Sequence, residues 1–267
     1  MERLLLIETS TALCSAALAE DGVITAYKES SAPKAHASLT AVFVNEMLTE
    51  KGLRISDCDA VCVSKGPGSY TGLRVGVSTA KGLCFGSGKP MLAVGTLDTL
   101  VAQAFSPAES EANVESQSGL YPRAEASAGE KEEYRYIIPM IDARRMEVYT
   151  AVFSPSNPSG SNLIQSEVED SPSYRQITET APAIIDENSF AEYLEQGPVL
   201  FIGDGAGKCA EIIRHPNAIF HQCCPKASAM LEPAIRAYKE KRFEDVAYFE
   251  PFYLKEFVAT VSKKKLW

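Results

Sequence analysis

The sequence predicts an α/β fold, and three observations carry that prediction. Apolar runs of strand length alternate with longer segments of helical periodicity, and the first hundred or so residues read in the order βββαβαβα. Glycine-bearing or hydroxyl-bearing turns follow three of the expected strands, at "IETST" (7–11), "KGPGSYTG" (65–72) and "GDGAGK" (203–208); strand ends of this kind converge on a cleft in α/β proteins. A chain of 267 residues, 45% hydrophobic and 23% charged, suits one large domain or two smaller lobes with core enough to fold unaided.

The chain opens with "RLLLIETS" and "CSAALAEDGVITAY", read as a three-stranded antiparallel meander in which Asp21-Gly22 supplies the positive backbone angles of a tight hairpin. The apolar run Leu4 to Ile7 stops at Glu8, so the start reads as a buried strand rather than a secretion signal. No run approaches the roughly 20 apolar residues of a membrane span. "HASLTAVFVNEMLTEKGL" follows as a helix (38–52) whose apolar positions Leu39, Val42, Phe43 and Met47, with Ala41, Val44 and Leu48, form a band too wide for one buried face. "DAVCVSKGPGSYTG" runs from strand into glycine-rich loop, "TGLRVGVSTAKGLCFG" is a second helix (71–86), "PMLAVGT" a strand and "LDTLVAQAF" the start of another helix.

Residues 107–135 are acidic, rich in Ser, Ala and Glu and poor in large apolar side chains, the composition of a mobile insertion. Beyond them "YIIPMIDARRMEVYTAVF" offers two strands around the polar turn "DARR", and "GPVLFIGDGAGK" a strand ending in glycines. Residues 154–190 fit no clear alternation. The expected division is a first lobe at 1–106, an insertion at 107–135 and a second lobe with tail at 136–267.

With 35 acidic against 26 basic side chains the formal charge is −9, which argues against a free-standing nucleic-acid binder and gives any such role to a basic partner. The tail "SKKKLW" reads as solvated. Cysteines at 14, 58, 62, 84, 209, 223 and 224 are odd in number and lack a C-x-x-C pair, as expected of a reducing cytoplasm. The histidines, His36, His215 and His221, have no second ligand at metal spacing, and Ser38 and Ser69 sit in no nucleophile elbow.

Two surfaces remain as candidates. "KGPGSYTG" directs backbone N–H groups and a helix start, capped by Ser69 or Thr71, toward an anion, but no Walker lysine or magnesium-holding acid accompanies it. "GDGAGKC" falls one residue short of a phosphate loop. Glu8, Thr9, Ser10, Gly66, Gly68, Ser69, Gly203 and Gly205 are therefore a candidate vestigial nucleotide site. On the second helix Gly72, Gly76, Thr79 and Leu83 share one stripe, beside a core stripe of Leu73, Val77, Ala80 and Cys84. Interior glycines cost about 1 kcal/mol each against alanine, so something must offset Gly76 and Gly82; small residues four apart admit another backbone, either an internal neighbour in the same lobe or another chain. Together with the doubly apolar first helix this predicts a helical dimer face of Leu39, Val42, Phe43, Met47, Gly72, Gly76, Thr79 and Leu83.

"LLLIETST", "SKGPGSYTGLRVGVSTAKGL", "DARRMEVY", "GDG" and "EPFYLK", in this order, resemble the TsaB (YeaZ-type) family, dimerisation subunits of bacterial tRNA threonylcarbamoyladenosine synthesis. The resemblance covers most of the chain except 107–135 and about 154–190. It implies a two-lobed fold like actin, sugar kinases and heat-shock ATPases, each lobe built on βββαβαβα with the second abbreviated. It implies a non-catalytic subunit that pairs with the catalytic paralogue TsaD, assisted by the ATPase TsaE, forms a homodimer when alone, and meets tRNA only through the complex. No cofactor of its own is expected, with ATP or ADP at the complex interface. The paralogue's metal-holding H-x-x-x-H helix corresponds here to His36 and Thr40, a single ligand. Glu8 departs from the family's usual aspartate. The rival reading is an actin-fold ATPase or kinase, or a glycoprotease-like metallopeptidase.

Overall fold

The computed structural model describes residues 1–105, 134–155 and 174–255. The expected insertion and the lysine-rich tail fall almost wholly outside them. The first sheet contains β1 (Arg3–Glu8), β2 (Cys14–Glu20), β3 (Val23–Ser30), β4 (Ala60–Ser64) and β5 (Met91–Val94), ordered β3-β2-β1-β4-β5. Three helices belong to this half of the chain: α1 (Ala35–Glu50), α2 (Tyr70–Ser87) and α3 (Thr96–Phe105). The predicted element order holds throughout, and the β2–β3 hairpin turns on Asp21 and Gly22 with φ +48° and +78°.

The second sheet is built from β6 (Tyr136–Asp142), β7 (Glu147–Thr150), β8 (Phe153–Pro155), β9 (Tyr174–Gln176), β10 (Ala181–Ile184), β11 (Val199–Gly203) and β12 (Ala218–Gln222). Its main path is β10-β7-β6-β11-β12, with β8 and β9 attached beside β6. α4 (Ala191–Leu194), α5 (Ala206–Ala210) and α6 (Leu231–Lys239) complete the helices. Each sheet has a central strand, β1 or β6, with its antiparallel hairpin partner on one side and two parallel strands on the other. This repeated plan is the actin-like architecture, and the second lobe echoes the first more closely than its sequence suggests.

Both faces of each central strand are covered, which is why β1 reads as an unbroken apolar run. Leu5 and Ile7 face α1 and α2, while Leu4 and Leu6 face the 3₁₀ turn Ala227–Met230 and α6. In β6, Ile138 and Met140 join a core with Leu194 and Cys209, and Ile137 and Ile141 meet Leu97, Leu100 and Val101 of α3. The lobes thus exchange helices: α3 covers the second sheet and α6 returns to the first. A strap from Glu244 to Lys255 completes the linkage. It begins at Met91, where the Glu244 N–H donates to the carbonyl at 2.8 Å, and buries Phe249 partly against the first core. It then crosses the glycine-rich loop, with the Phe252 N–H donating to the Lys65 carbonyl at 2.7 Å, and ends where Lys255 pairs with Glu147 of the second lobe.

Candidate functional site

The loop after β1 is where the first lobe's polar groups gather. Glu8 is fully buried, and its Oε1 accepts from the Ser10 N–H at 2.7 Å and the Ser64 hydroxyl at 2.8 Å. Burial raises its carboxyl above the usual range, against the pull of those hydrogen bonds. Glu8 Oε2, Thr9 Oγ1 and Ser10 Oγ are buried without a hydrogen-bond partner among the described residues. Gly68 and Ser69 of the glycine-rich loop lie against Ser10, and Gly66 adjoins Gly68, so these residues share one end of the first sheet with Glu8 and Thr9.

What fills the loop differs from an anion cradle. The Ser69 N–H donates to the Ser10 carbonyl at 2.6 Å, and Ser69 Oγ caps α2 by accepting from the Gly72 N–H at 3.3 Å. Ser69, not Thr71, is the cap. A Cβ on Gly68 would stand closer than 3.0 Å to Ser10, and one on Gly66 would lie 2.8 Å from the Phe252 carbonyl of the strap. The Ser69 N–H, one donor a phosphate would use, is taken by the Ser10 carbonyl, and the space beside Gly66 and Gly68 is filled by the chain's own backbone.

Gly203 and Gly205 repeat this arrangement in the second lobe. Gly203, at φ +135°, closes on the Met140 carbonyl, and the Gly205 N–H donates to that same oxygen at 3.0 Å. Next to them Asp204 Oδ1 accepts from the Asp142 N–H at 2.8 Å, and burial pushes the Asp204 carboxyl up to about 6. Each glycine turn seals the end of its own central strand. Thr40, four residues after His36, is buried and donates to the His36 carbonyl at 2.6 Å. Among the described residues no group of three or more His, Cys, Asp or Glu side chains is placed to hold a metal.

The expected dimer face needs correction. Gly72 and Gly76 are buried, and a Cβ on either would overlap Thr9, at its carbonyl oxygen and its hydroxyl respectively. They admit the β1–β2 loop of the same chain, not another subunit. Phe43 and Met47 lie in the first core, with Leu39 and Leu83 packed partly against it. α1 finds cover for its wide band in the sheet and in α2. Thr79 is half-buried and donates to the Val75 carbonyl at 2.9 Å; of the eight residues only Val42, 42% exposed, clearly faces outward.

An outward face does exist, one helical step around. Gly82 and Gly86 are exposed, with nothing within 4 Å of a Cβ added to either, and Ser78 extends the same four-residue spacing. Phe85 beside them is 87% exposed. A groove of about 520 Å³ continues this surface between α1 and α2, lined by Ala37, Tyr70, Thr71, Arg74, Val75, Ser78 and Thr79. Tyr70 packs against Tyr253 of the strap in a tilted pair, with ring centroids 4.7 Å apart, and Arg74 Nη1 donates to the Tyr70 hydroxyl at 3.2 Å. The Ser78-Gly82-Gly86 spacing was the sequence signal for this face.

The family model described as TsaD, tRNA N6-adenosine threonylcarbamoyltransferase, matches residues 29–262. The tRNA threonylcarbamoyladenosine biosynthesis protein TsaB of Escherichia coli K12 is 27% identical over 262 residues, 96% of each chain. The tRNA N6-adenosine threonylcarbamoyltransferase of Maricaulis maris is 40% identical over 80 residues, 30% of this chain and 20% of that one. YeaZ from Pseudomonas aeruginosa, 24% identical, shares the fold with a TM-score of 0.71 over 95% of this chain and 100% of that one.

Proposed function

The chain belongs to the TsaD family and within it is of the TsaB, or YeaZ, type, and from that premise we propose that it is a non-catalytic scaffold and activator in tRNA threonylcarbamoyladenosine synthesis. It pairs through the outward face of α1 and α2 with the catalytic paralogue TsaD, with the ATPase TsaE joining the assembly, and pairs with a second copy when alone. The observation that carries this reading is the open strip of Ser78, Gly82 and Gly86 beside exposed Phe85. Two glycines in an exposed helix give up about 2 kcal/mol of helix propensity with no internal contact to explain them. A partner helix laid close against them offsets that loss and removes Phe85 from water. Interfaces of this sort bury about 800 Å² on each side.

Sizing the chain alone and with TsaD tests the reading. Gly82→Leu fills open space in the folded monomer, so it should leave melting intact while abolishing pairing. Pairing that survives both Gly82→Leu and Phe85→Asp refutes the face.

An ATPase or kinase remains the second reading because Glu8 and three unpartnered buried oxygens cluster at the end of β1. The filled glycine loops weigh against it. No cofactor is needed for the scaffold role, and ATP or ADP, where it enters, belongs at the interface with the paralogue. Melting the chain with Mg-ATP separates the two, since ligand at 100 times its dissociation constant adds about 2.7 kcal/mol.

A further inference from the structure

The hairpin from β6 to β7 turns on Arg144 and Arg145, which hold φ at +71° and +51°. Consecutive left-handed residues are the backbone of a tight hairpin turn that Asn-Gly occupies easily and that longer side chains adopt under strain. Such strain persists only where the surroundings impose it.

Here the surroundings do so. Lys208 Nζ donates to the carbonyls of Arg145 at 2.8 Å and Glu147 at 2.7 Å and pairs with the Asp142 carboxylate. Asp142 Oδ1 also accepts from the Arg144 N–H at 2.9 Å, and the Ala143 N–H donates to the Glu147 carbonyl at 3.0 Å. The turn's backbone is braced, while both arginine side chains are exposed and have no hydrogen-bond or ion-pair partner among the described residues.

Their setting is a lip shared by the two lobes. The turn follows the carboxyl end of β6, as the Thr9–Ser10 loop follows β1. Lys255, paired with Glu147 and 5.7 Å above the Tyr149 ring, lies three residues beyond Phe252, which is bonded to Lys65 of the glycine-rich loop. Three residues of chain span about 10 Å at most. The nearest acids along the turn, Asp142 and Glu147, are each engaged by a lysine, so two positive charges without a partner among the described residues stand out on a chain of net charge −9.

We propose that Arg144 and Arg145 are a preorganised contact for the phosphodiester backbone of the RNA on which the assembly acts. The inference rests on the tRNA-modifying role proposed above. Planar guanidinium forks match phosphate oxygens, and a braced turn holds them in place before binding. Two arginines reach one or two phosphates, so the contact orients RNA within the complex and leaves the isolated chain a poor binder.

The test uses the full chain assembled with TsaD and an unmodified tRNA transcript, titrated over a series of KCl concentrations. Arg144→Asn with Arg145→Gly should weaken binding about tenfold and flatten the plot of log affinity against log salt by about 1 to 2. The same variant, alone, should melt higher than the parent, because Gly and Asn accept the left-handed backbone. A lower melting temperature would mark the arginines as structural and overturn the proposal. Intact complex with unchanged tRNA affinity and salt slope overturns it while sparing the scaffold reading. A parental complex that forms but retains no tRNA overturns the RNA contact alone, and one that fails to form overturns both. Loss of ADP binding with tRNA binding unchanged assigns the pair to a nucleotide and equally refutes the RNA contact.

Discussion

Alanine at Gly72 and at Gly82 should act in opposite directions, although both glycines lie in one exposed-looking helix. At Gly82 the methyl meets nothing within 4 Å, so the variant keeps the helix-propensity gain of about 0.5 to 1 kcal/mol. At Gly72 it is driven into the Thr9 carbonyl oxygen, a backbone atom tied into the end of a buried strand. Overpacking of that kind costs about 1 to 3 kcal/mol, which exceeds the propensity gain and leaves a net loss of about 1 to 2 kcal/mol. The two variants should therefore differ by about 2 kcal/mol, or about 4 to 8 °C in melting temperature for a chain of this size. Thermal and urea unfolding of dilute protein measure this without contribution from pairing. Sizing at higher concentration should show Gly82→Ala weakening association despite its greater stability. If Gly72→Ala proves as stable as Gly82→Ala, the β1–β2 loop does not fill that space and the assignment of inner and outer faces is wrong.

Asp204→Asn should stabilise the chain at neutral pH, because Asn Oδ1 keeps the bond from the Asp142 N–H without a buried charge. The folded carboxyl is raised from 3.8 to about 6, so the folded state binds the extra proton and stability falls as pH rises through that window. At about 1.4 kcal/mol per unit the full penalty approaches 3 kcal/mol, and partial exposure reduces the expected gain to about 1 to 2 kcal/mol. The advantage should vanish below about pH 4; a gain independent of pH refutes its origin in burial. Lys255→Ala should leave global melting nearly unchanged, since a surface pair contributes at most about 1 kcal/mol. Hydrogen exchange at residues 65–72 and 147–150 should rise as the strap loosens, and equal exchange in parent and variant would show that the strap carries no link between the lobes.

Local chemistry decided much of the architecture in advance. Asp21-Gly22 made its turn, the unbroken apolar run of β1 marked a buried strand, and a hydroxyl at Ser69 or Thr71 marked the start of α2, because each depends on neighbouring residues alone. The glycines of α2 carried less. A small residue says that something comes close and says nothing of what comes. Only the packed molecule distinguished Gly72 and Gly76, which admit Thr9 of the same chain, from Gly82 and Gly86, which face outward. It alone showed α3 and α6 exchanging sheets and Lys208 bracing Arg144 and Arg145 in a left-handed turn. Those features depend on which distant segments meet, and periodicity along the chain holds no record of that.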